Sequence, residues 1–328
     1  MTAPSCWVLT DGTIGMVNQA LGFAEAMGLR PVMKTFRARA PWRYLAPQLW
    51  LMPHWAATPE SDPIGPPWPD VIVACGSKSI PPLLRIRRKA MGRTKVIYVQ
   101  DPTLSPARFD LVVAPMHDRL DGPNVLVVRG AVNRVTPARL KDESAKFAGK
   151  FDHLPRPRVA VTIGGNSAAY RLTPAIIEKL ASDLAGLCRR DGAGLMVTTS
   201  RRTGAEAEAL LRDKLAGLPA FLWDGTGDNP YFAFLGLADY VIVTGDSVNM
   251  VSEALVSGKP VLVAHLEGGT PKFRRFHEDL EREGLTRPFK GKLETWIYTP
   301  LDDTQRAAAE AKRRLGLGAK RRPQPNPV

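Results

Sequence analysis

The chain has 328 residues, 44% hydrophobic and 23% charged, an ordinary globular mix that at roughly 150 residues per domain allows two cores. Its 45 basic and 32 acidic side chains leave a net charge of +13, which favours polyanionic partners such as nucleotide diphosphates or anionic lipid; nucleic acid is not expected, for there is no zinc-finger spacing, aromatic RNA-binding signature or helix-turn-helix. The longest apolar runs, such as 71–75 and 260–264, are strand-sized, and no basic segment followed by a long apolar stretch opens the chain, so a cytoplasmic protein is expected, soluble or peripheral on the inner face of the cytoplasmic membrane.

In chain order, strands are predicted at 7–10, 30–36, 69–76, 95–100, 110–115 and 124–130, with helices at about 16–27, 79–91 and 137–150. The stretch 151–157, FDHLPRP, has two prolines and little periodicity and reads as a linker. The pattern then restarts with strands at 158–165, 194–200, 219–223, 239–245 and 259–265. Helices are expected from 173, near 203–216, 229–237 and 247–257, at 271–283 and, opened by an aspartate, at 302–316. Near-continuous apolar strands between helices predict parallel sheets covered on both faces. The fold class is therefore α/β, with two Rossmann-like domains facing a cleft, the GT-B-like arrangement. The expected division is 1–150, 158–300, a C-terminal helix at 301–317 packing back on the first domain, and a basic Pro-rich tail at 318–328.

Ligands of open parallel sheets bind beyond the carboxyl ends of the strands, so the loops there carry the candidate chemistry. The most informative block is 239–265. A strand ends at Gly245, and Asp246, Ser247, Asn249 and Met250 open a helix whose free amides and dipole suit a phosphate; Glu253 in that helix is placed to accept from a ribose diol. The plainer reading makes Asp246 or Ser247 a helix cap. Gly164, Gly165 and Asn166 follow another strand, where glycines let the backbone approach a ligand. Ser200, Arg201 and Arg202 stand at a third strand end, with guanidinium forks suited to diphosphate oxygens, and Asn229 lies in a fourth loop. Together they mark the second half as a donor-nucleotide domain.

In the first half, Gly12, Asn18, Gln19, Gly76, Ser77 and Gln100 are expected in an acceptor cleft. Asp11 and Asp101 are the carboxylates best placed as general base for a hydroxyl acceptor, though a loop aspartate is also a common turn residue. The segment 34–55 interleaves Lys34, Arg37, Arg39 and Arg43 with Phe36, Trp42, Tyr44, Trp50 and Trp55 and has no acid. Such a mixture suits an anionic headgroup region, or a helix whose aromatics complete the core. His54, His117, His153, His265 and His277 are isolated in sequence, so no metal site is expected. Cys6, Cys75 and Cys188 read as buried thiols, and no cofactor is expected beyond a nucleotide-sugar substrate.

The segments TDGTIGMVNQALGFAEAMG, VIVACGSKSIPPLL, YVQDP, VTIGGNSAAYRLT, TTSRRT and DNPYFAFLGLADYVIVTGDSVNMVSEALVSGKPV resemble the mitochondrial fission family named after the plant "elongated mitochondria" protein, over about residues 5–300. That family is similar in fold to two-domain glycosyltransferases such as the peptidoglycan lipid-II N-acetylglucosaminyltransferase, in which a strand, loop and Glu-bearing helix hold the donor; Gly245 to Glu253 matches that pattern. The first loop of that enzyme carries a histidine, where this chain has Asp11-Gly12. The resemblance also implies an alternative, since the plant member is an adaptor for a dynamin-related protein at the mitochondrial surface.

The expectation is thus a metal-independent, inverting glycosyltransferase moving a sugar from a nucleotide diphosphate to a lipid or envelope glycan precursor, with a non-catalytic adaptor as the alternative and a nucleotide-sugar epimerase as a third class. Sugar, acceptor and oligomeric state are not legible.

Overall fold

A computed structural model describes residues 4–50 and 55–317; the predicted tail at 318–328 and His54 lie outside the described residues. The chain forms two compact units, one running to Arg134 and resuming at Asp303, the other spanning Val135–Asp302.

The first unit is built on a six-stranded sheet, β1 (Cys6–Thr10), β2 (Pro31–Thr35), β3 (Val71–Cys75), β4 (Lys95–Val99), β5 (Leu111–Pro115) and β6 (Val125–Val128), in the order β2-β1-β3-β4-β5-β6. All its pairings are parallel. Helices α1 (Ile14–Ala26) and α2 (Ile80–Lys89) connect strands. The strand interiors are apolar on both faces; Val8, Val71, Ile72, Val73, Ala74, Val112 and Val113 have no exposure at all. Each buried Val or Ile side chain contributes about 1.5–3 kcal/mol.

After β6 the chain leaves this sheet, and α3 (Pro137–Lys146) belongs to the second unit. The boundary therefore lies at Arg134/Val135 rather than at 151–157. The reason is apolar anchoring: Val135, Leu140, Phe147, Phe151 and Leu154 all enter the second unit's core beside Phe234 and Val241. Phe151 packs edge-on to Phe221 and Phe234 at 5.0 and 5.2 Å, so the Pro-bearing stretch is a core segment and not a free linker.

The second sheet comprises β7 (Arg158–Ile163), β9 (Gly194–Thr199), β10 (Ala220–Leu222), β11 (Tyr240–Thr244), β12 (Val261–Ala264) and β14 (Thr286–Pro288), in the order β10-β9-β7-β11-β12-β14, again all parallel. β8 (Tyr170–Arg171) and β13 (Glu267–Gly268) form a small antiparallel ribbon. Helices α4 (Pro174–Asp191), α5 (Ala205–Leu215), α6 (Tyr231–Leu237), α7 (Val248–Val256) and α8 (Pro271–Arg282) alternate with the strands. The strand β14 and the ribbon escape sequence reading because they are two or three residues long, and β14 ends in proline at the sheet edge, where a missing N–H costs little.

Helix α9 (Asp303–Leu315) returns to the first unit. Its first turn is pinned by side chains: the Asp303 carboxylate accepts the Arg129 amide at 2.5 Å and the Thr304 hydroxyl accepts the Asn133 amide at 3.0 Å. Ala307, Ala308 and Ala311 bury against the core that holds Ala20 and Ala24 of α1. Elsewhere on α1 the backbone that follows β6 approaches closely, for a Cβ on Gly22 would lie 2.5 Å from the backbone carbonyl of Asn133. Gly22→Ala is expected to cost about 3 kcal/mol or more, as overpacking against backbone cannot be relieved by a rotamer change; a urea-melt loss under 1 kcal/mol would contradict this packing.

The segment 34–50 does not form the helix that the plainer alternative expected. Pro41 and Pro47 interrupt it, and it forms two short 3-10 turns at Trp42–Tyr44 and Pro47–Leu49 in place of a helix. Phe36 and Trp50 are buried with ring centroids 6.2 Å apart, while Tyr44, Leu49 and Trp55 are exposed. No helix among the described residues is long and apolar enough to cross a membrane.

Candidate functional site

Each sheet has a point where strand order reverses, and the two following loops diverge there and leave a crevice. In the second sheet this point lies between β7 and β11. It brings together the turns at Gly164–Asn166 and Gly245–Ser247, with the turn after β9 alongside.

The three turns are knitted by one buried carboxylate. Asp246 is 4% exposed. Its Oδ1 accepts the Thr244 hydroxyl at 2.7 Å, and Oδ2 accepts the Gly165 amide at 3.0 Å and pairs with Arg202 Nη2 at 2.7 Å. The Thr244 oxygen accepts the Gly164 amide at 2.7 Å. A Cβ on Gly164 would overlap the Asp246 carboxylate, and one on Gly165 would overlap the Arg202 carbonyl. These glycines are thus required by close approach of protein to protein. Gly164, Gly165, Asp246 and Arg202, expected to face a diphosphate, satisfy one another; Asp246 supplies within the fold the negative charge that the glycine amide and the arginine call for.

The flanking residues are turn formers as well. Asn166 Oδ1 accepts the Leu172 amide at 2.9 Å, Ser200 Oγ accepts the Arg202 amide at 3.2 Å, and Asn229 Oδ1 accepts the Tyr231 amide at 3.0 Å. Arg201 is exposed and makes no ion pair with a described residue. Ser247 is the N-cap of α7, its Oγ accepting the Met250 amide at 3.3 Å. Ser247, Asn249 and Met250 are half-buried, so this helix start keeps some access to solvent.

Glu253 sits deeper. It is 5% exposed, and Tyr231 Oη donates to its Oε2 at 2.6 Å. Burial pushes its carboxyl up to about 7 against the bond from Tyr231 and the positive field of Arg139 on α3. Arg139 itself lies 4.4 Å from the centroid of Phe232. Within the unit, the partner of this side chain is the Tyr231 hydroxyl.

Sequence reasoning missed the group nearest to this turn. His265, after β12, and His277, on α8, are distant in sequence, yet their rings meet edge-on at 5.3 Å. His277 is 5% exposed, and its Nε2 donates to the Gly245 carbonyl at 2.7 Å. Burial lowers its pKa to about 4, so at neutral pH the ring is uncharged with the proton on Nε2. Its Nδ1 is buried and has no hydrogen-bond partner among the described residues. Both histidines line a cavity of about 340 Å³ together with Tyr170, Gly269, Thr270 and Arg274. Only the position of His265 at a strand's carboxyl end could have signalled it; the α8 histidine lies in an ordinary amphipathic pattern.

In the first unit the order reverses between β1 and β3. Asp11 accepts the Thr13 amide at 2.9 Å and Asp101 the Thr103 amide at 2.7 Å, so both are aspartate turns. Both carboxylates act electrostatically on the buried Tyr98 hydroxyl, whose pKa burial raises first of all. Gln100 Nε2 donates to Met16 Sδ at 3.2 Å and to Gln19 Oε1 at 3.4 Å. Its backbone has φ +92°, a left-handed conformation that costs a glutamine of order 1–3 kcal/mol. Gly12 and Gly76 also have positive φ, while Asn18 is half-buried and Ser77 exposed. Cys75 is a buried thiol whose pKa is raised, by burial first and then by the Asp11 charge.

The family profile for mitochondrial fission ELM1 matches residues 14–315. The chain belongs to this family. It is 30% identical over 274 residues to mitochondrial fission protein ELM1 of Arabidopsis thaliana, covering 75% of this chain and 64% of that protein, so the match spans under two thirds of the plant relative. It is 24% identical over 346 residues to the uncharacterized protein RP120 of Rickettsia prowazekii (strain Madrid E), covering 92% and 96%. Among solved structures, UDP-GlcNAc 2-epimerase from Methanocaldococcus jannaschii in complex with UDP-GlcNAc and UDP superposes with a TM-score of 0.57 at 12% identity, over 96% of this chain and 99% of that one. The glycotransferase of kitacinnamycin superposes with a TM-score of 0.51 at 14% identity, over 96% and 94%. At these identities the likeness shows the fold: the chain has the α/β, two-Rossmann-unit GT-B architecture.

Proposed function

We propose that this family member is a glycosyltransferase that takes a nucleotide-diphosphate sugar as donor in its second unit. The observation that carries the reading is the cavity at the carboxyl end of β12, joined to the start of α7 by the bond from His277 to Gly245. A diphosphate there meets the positive end of a helix and the cation of Arg274, in a lining that also holds Glu278, Glu281 and the exposed ring of His265. Leaving-group charge is then stabilised by fixed dipoles. The general base for the acceptor hydroxyl is assigned to Asp11 or Asp101, and the transfer to a single in-line displacement with inversion. The acceptor is a hydroxyl of a lipid or envelope glycan precursor.

One observation favours a second, non-catalytic reading: Asp246 and Glu253 already have partners inside the unit, as an adaptor retaining only the fold would need. Thermal unfolding with UDP-, GDP-, CMP- and ADP-sugars separates the two. A ligand at a hundred times its Kd stabilises by about 2.7 kcal/mol, so one nucleotide class is expected to raise Tm by several degrees. His277→Ala is expected to abolish that rise. If no nucleotide sugar moves Tm, the transferase reading is lost and the adaptor reading stands.

A further inference from the structure

We propose that the first unit docks on an anionic phospholipid bilayer through a face made by three elements: the outer side of α2, the turn at Pro106–Arg108 and the turns at Trp42–Leu49. This inference is independent of the donor site.

Helix α2 turns Ile80, Leu83 and Ile86 into the core and leaves its cations outside. Residues 71–100 hold seven lysines and arginines and no acid. Arg87 is neutralised by Asp110 at 3.4 Å, a carboxylate that also faces Lys95 at 3.9 Å. Arg85, Arg88 and Arg108 make no ion pair with a described residue, and they converge on one groove of about 220 Å³ walled by Pro47, Trp50 and Leu84. Leu84, Arg88 and Arg108 also line an adjoining hollow of about 400 Å³ that reaches Met91. The face is a single surface, because Gln48 Nε2 donates to the Thr103 carbonyl at 3.1 Å and ties the 3-10 turn to the loop before Arg108. Exposed apolar side chains belong to the same elements: Met91, 76% exposed, lines that second hollow, and Leu49, 61%, and Tyr44, 72%, stand on the 3-10 turns that lead into Trp50.

Converging guanidinium groups select phosphate oxygens. The exposed Leu49, Tyr44 and Met91 select the source. A soluble polyanion gives them nothing to bury in, whereas an interface takes apolar side chains at the headgroup–acyl boundary while the cations remain with the phosphates. Of the segment singled out by sequence, the proposal uses only the turns at Trp42–Leu49; α2 and Arg108 supply the groove.

The test is sedimentation of the full chain with vesicles of phosphatidylcholine alone or mixed with phosphatidylglycerol. Binding is expected only to the mixed vesicles, and to weaken with salt as the Debye length shortens. Each arginine near an anionic surface is worth about fivefold in partitioning, so the triple variant Arg85→Gln, Arg88→Gln, Arg108→Gln should bind about 100-fold more weakly. Arg189→Gln, Lys290→Gln, Lys292→Gln, the same charge change on the second unit, should bind as the wild type. Leu49→Glu with Met91→Glu should also lose vesicle binding. No binding to mixed vesicles at low salt overturns the proposal, as does equal loss in both triple variants, which would reflect net charge alone. Undiminished vesicle binding by the Leu49→Glu, Met91→Glu variant, or a short RNA bound as tightly as the vesicles, would mark a general polyanion surface and overturn it too.

Discussion

Glu253→Gln is expected to stabilise the second unit at pH 8 and to have little effect at pH 4.5. The carboxyl is buried beneath α6 and its pKa is raised from 4.5 to about 7, mainly by loss of solvation. The folded state therefore holds its proton more tightly than the unfolded chain does. Below the unfolded value both states are protonated and the side chain is a neutral, hydrogen-bonded group whose stability is fully present. As pH rises through about 7 the folded state must ionise a buried carboxyl, and that contribution is lost. A pKa moved this far corresponds to about 3 kcal/mol. Glutamine removes the ionisation and keeps an oxygen to accept from Tyr231. The stability difference between variant and wild type, from urea melts at a series of pH values, should grow between pH 4.5 and 7 and then level off. A difference independent of pH would show that Glu253 is not held as the structure has it.

The second large effect concerns the turn at the switch point of the second sheet. Asp246→Ala is expected to cost about 3–5 kcal/mol, the range for breaking a buried charge pair from one side. It strips acceptors from the Gly165 amide and the Thr244 hydroxyl and leaves Arg202 without its counter-ion. Unsatisfied buried donors cost about 1–3 kcal/mol each, though Arg202 recovers part of this because its side chain is 39% exposed. Asp246→Asn keeps one oxygen and should cost roughly half as much, within the range for a single lost hydrogen bond to a charged group. Fluorescence of Trp223 and Trp296, the two tryptophans of this unit, follows the transition. A loss under 1 kcal/mol for the alanine variant would mean that the carboxylate is free to serve a ligand after all.

These two residues show where reading the sequence stopped. Asp246 and Glu253 were recognisable as polar residues at and just inside the start of a helix following a buried strand, and that placement is what the structure has. Their partners were not recognisable. Arg202 lies 44 positions before Asp246 and Tyr231 lies 22 before Glu253, and a carboxylate at a strand end looks the same whether it faces a ligand or an arginine on the next turn. The unit boundary failed for a similar reason. Two prolines and weak periodicity in FDHLPRP argue for a linker, but Phe151 and Leu154 find their cavity only once α6 and β10 are in place.

The sequence by itself determined the alternation of strands and helices, the parallel arrangement and the family. Those features follow from short-range information: unbroken apolar runs of strand length, glycine and proline at the turns, and caps such as Ser247 and Thr173 that accept amides three residues ahead. Only the tertiary structure decided which polar groups answer one another. It paired Asp246 with Arg202, gave Glu253 to Tyr231, brought His265 to His277 and gathered Arg85, Arg88 and Arg108 around one groove. Charge pairing and desolvation depend on separations of a few ångströms between segments far apart in the chain, and no periodicity or local propensity records those separations.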